Sequence, residues 1–320
     1  MNTSETTNRP LISIIVVAYN AEETLARSIN SIVGQTLLDF ELIIVNDGST
    51  DGTQTIIDQY AETDDRIKTE SQPNSGVSVA RQIGLNLASG LYTIFVDADD
   101  WIEKDMMELL YNKAIQESAD IVFCDYIEER GAKSLYRKQK PKSDDSKIVL
   151  EQMFEGLYGT LWNKLIVSSL YKKSGASFVK GLNFCEDECV IIRLLNFGCK
   201  VGYVDHALYH YDKTVNAGSY TNMWYTRPVE EYELFIKSCA PYLNTPKMKQ
   251  NFDNRIASII KKLTYAPSEC YPECRKFYLR HRESLWSSKM SLSRKVYCWL
   301  FYHGFRRIKR FGNVNIEECK

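Results

Sequence analysis

The stretch Leu91-Tyr92-Thr93-Ile94-Phe95-Val96-Asp97-Ala98-Asp99-Asp100 joins a short apolar run to a cluster of acids. An apolar run of this length is typical of a buried β-strand, and ligands of open α/β sheets bind beside the carboxyl ends of the strands. Clustered carboxylates repel one another unless a cation lies between them, so a divalent ion that bridges them to a diphosphate is one interpretation. The other is a helix start, in which Asp99 or Asp100 caps a helix over Trp101–Glu117.

Strand and helix patterns alternate over the first 125 residues. This alternation predicts an α/β fold with a mostly parallel sheet and helices on both faces. The predicted strands are Leu11–Ala18, Phe40–Val45, Ile67–Glu70, Leu91–Val96 and Ile121–Asp125, and the predicted helices are Ala21–Val33, Thr53–Tyr60, Ser78–Ala88 and Trp101–Glu117. We interpret the polar segment Glu128–Ser146 as a surface connection or excursion and the residues from about Met223 onward as helical.

The composition is that of an ordinary globular chain. Of its 320 residues, 44% are hydrophobic and 25% are charged, and the formal net charge of −1 argues against a nucleic-acid partner. No apolar run approaches the roughly 18–20 residues that span a bilayer, and Met1–Pro10 lacks the pattern of a signal peptide, so we expect a cytoplasmic protein. The nine cysteines are predicted to be reduced, mostly buried thiols rather than metal ligands.

Five stretches, taken in order, resemble the family 2 nucleotide-sugar glycosyltransferases of the GT-A fold. They are Ile14–Asn20, Ser31–Thr36, Glu41–Asp51, Asn74–Arg81 and the acidic cluster Asp97–Asp100. The resemblance implies a Rossmann-like GT-A domain followed by a helical C-terminal region. It divides the chain into a nucleotide-sugar-binding half at 1–125, an acceptor-binding half at 126–222 and a helical region at 223–320.

The resemblance also implies a set of donor-binding residues. Tyr19 and Asn20 would line the base pocket, and Asp47 would accept a hydrogen bond from N3–H of uracil. Gly76 permits close approach of backbone to a ligand, and Arg81 offers a planar fork of donors to oxygen-rich groups. The alternatives are a corner position for Tyr19, a turn-forming role for Asp47 and a structural ion pair for Arg81.

Within the acidic cluster, the resemblance implies that Asp99 binds Mg²⁺ or Mn²⁺ directly and that Asp97 contacts ribose or the metal through water. The ion would neutralise the charge that develops on the departing UDP. Asp100 is expected to cap a helix instead. A dinucleotide enzyme is excluded because no G-x-G-x-x-G follows the first predicted strand.

The second half of the chain supplies the acceptor side of the resemblance. Glu186-Asp187-Glu188 resembles an acidic pair at a helix start, which implies that Asp187 is the catalytic base and that Glu186 places the acceptor. The alternative is a set of acids stabilised by the helix dipole. Trp162 is either a platform for a sugar ring or a core residue.

Tyr209-His210-Tyr211 and Ser219 resemble a loop that closes over the diphosphate. The resemblance implies that His210, Lys213 and Ser219 contact the donor, with a structural role as the alternative for His210. The arginine that is common near the start of this loop is missing, because Asp212-Lys213 stands there, and lysine is not equivalent to arginine on a phosphate.

Residues 289–311 combine basic and aromatic side chains, which predicts either contact with an anionic membrane surface or a helix packed on the protein. Together these features predict a metal-dependent inverting glycosyltransferase of cell-surface polysaccharide synthesis, at the inner face of the membrane. It would move a hexosyl or N-acetylhexosaminyl group from a UDP-sugar to a glycan or lipid-linked glycan. The alternative is a noncatalytic nucleotide-sugar-binding subunit of a glycan-assembly complex, which the missing arginine favours.

Overall fold

A computed structural model describes residues 9–153, 155–214 and 228–304, and the chain divides into two compact units, Met1–Val215 and Asn216–Lys320. The strands of the first unit are β1 Ile12–Ala18, β2 Phe40–Asn46, β3 Ile67–Ser71, β4 Tyr92–Asp97, β5 Trp101–Ile102, β6 Ile121–Arg130, β7 Lys133–Arg137, β8 Lys164–Val167 and β9 Val201–Asp212. Its helices are α1 Leu25–Val33, α2 Thr53–Ala61, α3 Val77–Leu87, α4 Met106–Glu117, α5 Ser146–Met153, α6 Ser168–Ser174 and α7 Glu186–Phe197. The helices of the second unit are α8 Val229–Cys239, α9 Pro246–Leu263, α10 Tyr271–Ser287 and α11 Leu292–Tyr302.

One sheet organises the first unit, in the order β3-β2-β1-β4-β8-β6-β9-β5, with β7 paired to β6. The strands β3, β2, β1 and β4 are all parallel, as are β6 and β9, whereas β8 lies antiparallel between β4 and β6. The predicted α/β class with a helical C-terminal region is therefore confirmed. The two halves predicted at 1–125 and 126–222 share this sheet, and the boundary predicted at 222/223 lies outside the described residues.

Helices cover both faces of the parallel strands. Ile14 and Val16 of β1 belong to a buried cluster that includes Ile29 of α1. Side chains alternate between the faces of a strand, so Ile15 points the other way, toward α3. There a Cβ added at Gly84 would lie 2.4 Å from Cγ2 of Ile15, which explains why a glycine allows α3 to pack closely. Because helices cover both faces of the sheet, side chains on both sides of β1 are buried, which explains its nearly continuous apolar sequence.

One prediction of local structure is wrong, and the error has a tertiary cause. The helix predicted over Trp101–Glu117 begins only at Met106, because Trp101 and Ile102 form β5 by pairing with His210 and Tyr209 of β9. The segment Glu128–Ser146, predicted to be a surface connection or excursion, begins with a hairpin whose second strand is exposed, because β6 continues to Arg130 and turns into β7. A partner strand that lies far away in sequence leaves no local signal.

The strand order reverses next to β1, since β2 follows it on one side and β4 lies on the other. Ligands of open α/β sheets bind at such a switch point, beside the carboxyl ends of the strands. Val17 lies opposite Asp97 and Ala18 lies opposite Asn46 in the sheet register. The sheet therefore brings the loops after β1, β2 and β4 to one edge.

The second unit packs its helices through aromatic side chains. Tyr302 of α11 stacks on Tyr278 of α10 at 4.7 Å, and its hydroxyl donates to the carbonyl of Ile260 in α9 at 3.0 Å. No helix within residues 9–153, 155–214 and 228–304 has the length and apolar character needed to cross a membrane. Eight cysteines fall among the described residues, and none of them forms a disulfide there.

Candidate active site

An acidic loop formed by Asp97–Asp100 follows β4. Each of Asp97, Asp99 and Asp100 offers a carboxylate oxygen, and these oxygens all lie within 4.8 Å of one another. Asp97 and Asp99 are half-buried, whereas Asp100 is fully buried. A set of oxygen ligands at this spacing suits a hard divalent cation.

Asp100 anchors this loop to β9. It accepts a hydrogen bond from the hydroxyl of Tyr209 at 2.5 Å and another from the backbone N–H of Asp212 at 2.8 Å. The predicted capping role is wrong, since the residue that precedes α4 is Asp105. Burial, with the neighbouring charges of Asp99 and Asp97, raises the pKa of Asp100 well above its ordinary value. The two hydrogen bonds partly offset that cost.

We expect Tyr209→Phe to lower the free energy of unfolding by about 1–3 kcal/mol, because it removes a hydrogen bond to a buried carboxyl group. Chemical denaturation measures this loss. Tyr60→Phe is the matched control, because the Tyr60 hydroxyl makes only a 3.4 Å hydrogen bond to the carbonyl of Ala26. Equal losses in the two variants would contradict the anchoring role.

Arg27 of α1 also holds the acidic loop, although no sequence motif pointed to it. Its Nη2 donates to the carbonyl of Asp99 at 2.6 Å and to the carboxylate of Asp212 at 2.7 Å. The guanidinium lies 4.1 Å from the centre of the Trp101 ring, at a distance typical of a cation–π contact. Arg27 of α1 thus holds the backbone of Asp99 in place.

Arg81 of α3 connects the acidic loop to the start of α7. Its Nη2 donates to Asp97 at 2.8 Å, and its Nη1 donates to both Glu186 and Asp187. Arg81 is only 7% exposed. Burial opposes its charge, but Asp187, Asp97 and Glu186 outweigh that effect and raise its pKa. One permanently charged guanidinium therefore brings three sequence-predicted site residues together.

Asp187 is buried at the first turn of α7, where it also accepts a hydrogen bond from the backbone N–H of Leu161 at 3.2 Å. Burial raises the pKa of Asp187 to about 7, against the opposing effect of Arg81 and with the help of Glu186. A carboxylate with a pKa near neutrality suits proton transfer at physiological pH. The helix dipole favours these acids as well, and the role of Asp187 as a catalytic base stays a prediction.

The loop that contacts Asp187 is organised by a buried lysine. Lys164 donates from Nζ to the carbonyls of Tyr158 at 2.9 Å and Thr160 at 2.6 Å. Burial lowers the pKa of Lys164 to about 7. Trp162 in the same loop is 4% exposed and stacks on Tyr209 at 4.3 Å. Trp162 is therefore a core residue, and the sugar-platform interpretation is wrong.

Tyr19, Asn20 and Asp47, which are predicted to contact the nucleotide, lie on the two loops that follow β1 and β2. Tyr19 is 51% exposed. Asn20 has a left-handed backbone, with φ of 48°, and its Oδ1 accepts a hydrogen bond from the N–H of Thr50 at 2.8 Å. Asp47 is buried and accepts hydrogen bonds from Nε2 of Gln72 at 2.6 Å and from the N–H of Gly76 at 3.0 Å. Asp47 thus shapes the loop before α3, whereas the hydrogen bond within its own turn is made by Asn46, whose Oδ1 accepts from the N–H of Ser49 at 3.0 Å.

Gly76 has φ of +88°, and a Cβ there would lie 2.5 Å from Oδ1 of Asn183. The group that approaches its backbone is therefore the side chain of Asn183. This residue was missed by sequence reasoning, and its place just before the acidic helix start was the only available signal. The contact ties the start of α3 to the segment that precedes α7.

The predicted diphosphate loop is only partly described. Both ring nitrogens of His210 contact carboxylates, Nδ1 with Glu129 and Nε2 with Glu103, each at 2.9 Å. The ring also stacks on Trp101 at 4.9 Å. These contacts engage both nitrogens and support the structural role, and contact of His210 with the diphosphate stays a prediction. Lys213 lies 3.1 Å from Glu128, and Ser219 lies outside the described residues.

Comparison with known proteins places this site in a family. The sequence profile of Glycosyl transferase family 2 matches residues 13–175. Glycosyltransferase GlyA of Streptococcus pneumoniae is 33% identical over 225 residues, which cover 67% of this chain but only 32% of GlyA. The chain thus spans about a third of that relative's length.

Solved structures agree on the fold. TarS 1–349 of S. aureus, in complex with UDP-GlcNAc, matches with a TM-score of 0.70 and 18% identity over 94% of this chain and 93% of that one. The mannosyltransferase PcManGT of Pyrobaculum calidifontis, in complex with GDP-Man and Mn²⁺, matches with a TM-score of 0.51 and 15% identity over 94% of this chain and 84% of that one. With a profile match over half its length and an acidic loop at the switch point of a GT-A sheet, this chain belongs to glycosyl transferase family 2.

Proposed function

We propose that the protein is a metal-dependent inverting glycosyltransferase that moves a sugar from a nucleotide sugar to a hydroxyl group of an acceptor. The observation that carries this proposal is the Arg81 bridge, which joins Asp97 of the acidic loop to Asp187 and Glu186 of α7. Such a transfer has two requirements: the negative charge of the leaving group must be stabilised, and the proton of the attacking hydroxyl group must be accepted. The bridge holds residues suited to each of these two tasks at one edge of the sheet.

The carboxylates of the acidic loop fit Mg²⁺ or Mn²⁺, because their oxygens converge within 4.8 Å and no softer ligand is among them. Asp99 would bind the ion directly and Asp97 directly or through water. When bound, the ion would supply positive charge for the diphosphate of the leaving nucleotide. Asp100 and Arg27 would keep the ligands in place.

On the acceptor side, Asp187 would take the proton of the attacking hydroxyl group, and Glu186 would help to place the acceptor. Inversion in a single in-line displacement needs only one such base. Tyr19 and Asn20 would line the base pocket and Asp47 would accept a hydrogen bond from uracil, the favoured base, so the donor would be a UDP-sugar. We infer hexosyl or N-acetylhexosaminyl transfer to a glycan or lipid-linked glycan of a cell-surface polysaccharide.

A panel of UDP-sugars tests the function. We expect one donor to raise the melting temperature in the presence of Mn²⁺, because a ligand stabilises the state that it binds. The same donor should release UDP in a manner that EDTA abolishes. Stabilisation by the donor without any release of UDP, with glycan and lipid-linked acceptors supplied, would favour the noncatalytic subunit instead.

We infer that the second unit makes a peripheral contact with a membrane, at its inner face. Leu292, Val296 and Trp299 form an exposed apolar stripe on α11, and Arg294 and Lys295 lie between them. This pattern suits an anionic bilayer surface. Of the predicted region 289–311, residues 305–311 lie outside the described residues.

We expect Leu292→Ser to weaken binding to vesicles that contain phosphatidylglycerol on the order of 10-fold, because it removes one apolar side chain from the bilayer contact. Cosedimentation measures the bound fraction. Leu38→Ser is the matched control, since Leu38 and Leu292 are both 69% exposed. Equal binding by the two variants would exclude the stripe as the contact.

A further inference from the structure

Three basic side chains surround one buried carboxylate where β6, β7 and β9 meet. Glu128 is 2% exposed and accepts hydrogen bonds from Nε of Arg130 at 2.5 Å and from Nε of Arg137 at 2.8 Å. Nζ of Lys213 lies 3.1 Å from the same carboxylate. We name Arg130, Arg137 and Lys213 the basic cluster. Its three positive charges face a single negative charge, so the cluster retains an excess of positive charge.

The basic cluster keeps donors available for a further anion. Both arginines bind Glu128 through Nε, and within the described residues no hydrogen bond is found from their Nη atoms. The side chains of Arg130, Arg137 and Lys213 are 48%, 39% and 37% exposed. The paired Nη atoms of a guanidinium match the oxygens of a phosphate. The cluster is therefore both accessible and suited to phosphate.

Glu128 keeps the arginines oriented. Burial alone would raise its pKa, but Arg130, Lys213 and Arg137 together lower the pKa of Glu128 to about 2. The carboxylate therefore stays ionised throughout the physiological range and holds each guanidinium by its Nε. Preorganised donors lose less conformational freedom when a ligand binds.

The basic cluster lies at the reactive edge of the sheet. Strands β4 and β6 are both antiparallel to β8 and so run in the same direction, and β9 is parallel to β6. Their carboxyl ends therefore share the edge that carries the acidic loop. Asp212, which precedes Lys213, donates its N–H to Asp100 at 2.8 Å. Nζ of Lys213 lies 5.2 Å from the ring centre of Tyr211, which in turn stacks on Trp162 at 5.8 Å.

We propose that the basic cluster binds a phosphate group carried by a substrate of this enzyme. The phosphate belongs either to the diphosphate of the donor or to a phosphorylated acceptor, and the chemistry of recognition is the same. The place of the cluster in the reaction rests on the proposed function. Its affinity for phosphate rests only on its own charges and geometry.

The test compares Arg130→Gln/Arg137→Gln with Lys138→Gln/Lys142→Gln, which removes the same charge from exposed residues paired with Asp205 and Glu155. Isothermal titration at low ionic strength uses two probes, glycerol 3-phosphate and UDP with Mn²⁺. We expect Arg130→Gln/Arg137→Gln to weaken the binding of at least one probe on the order of 10-fold. The control variant Lys138→Gln/Lys142→Gln should change the affinity for either probe by no more than about twofold.

The outcomes separate the two sources of phosphate. Weaker binding of glycerol 3-phosphate alone assigns the cluster to the acceptor, and weaker binding of UDP assigns it to the donor. Unchanged affinity for both probes, or no binding of either probe by the wild type, overturns the proposal. If the glutamine pair does not fold, Arg130→Lys/Arg137→Lys takes its place, because it keeps the charge but loses the fork. UDP release by the wild type tests the proposed function separately.

Discussion

Asp99→Asn is expected to lower the rate of UDP release by at least about 10²–10³-fold, the scale associated with loss of one electrostatic stabiliser of a transition state. The substitution keeps the volume of the side chain but removes a charge from the three convergent carboxylates. The assay measures UDP release from the donor at saturating Mn²⁺. Titration of the variant with Mn²⁺ should show weaker binding of the ion as well.

Asp105→Asn is the matched control, since Asp105 lies at the start of α4 and its side chain makes no capping hydrogen bond. We expect this variant to retain the wild-type rate and the wild-type affinity for Mn²⁺. An Asp99→Asn protein that binds Mn²⁺ and releases UDP as the wild type does would refute the assignment of Asp99 as a metal ligand.

The second large effect is expected from Asp187→Asn, which should lower transfer to the acceptor by about 10²–10⁴-fold, the usual contribution of a general base. Binding of UDP should change little, because the proposed role of Asp187 is on the acceptor side. The amide oxygen of asparagine is still able to accept the hydrogen bond from the N–H of Leu161. The kcat of sugar transfer, followed by product formation, measures the loss.

The pH profile provides an independent readout. Asp187 acts as a base only when it is ionised, and burial raises its pKa to about 7. The wild-type rate should therefore rise with pH up to about 7 and then level off, while the residual rate of Asp187→Asn should lack this rise. A wild-type profile that is flat from pH 5 to 8, or an unchanged kcat in the variant, would assign the base elsewhere.

Much of the structure of residues 1–125 was predictable because its signals are local. Apolar runs located β1, β2 and β4 to within one residue at each end, and the acids after β4 were visible as a cluster. The contacts that hold this cluster were not predictable. Arg27, Tyr209 and Asn183 act through hydrogen bonds to residues that are distant in sequence, and no short motif encodes such partners. The contacts of His210 were not predictable for the same reason, because its two carboxylate partners come from other elements.

By itself, the sequence determined the alternation of strands and helices, the acidic loop at a strand end and the acidic start of α7, because periodicity and turn chemistry act over a few residues. Only the tertiary structure decided which charges meet. Arg81 and Asp187 are 106 positions apart in the chain, yet they share a buried hydrogen bond. The ionisation of a buried carboxyl group depends on how deeply it is packed and which charges surround it, and the folded chain alone fixes both.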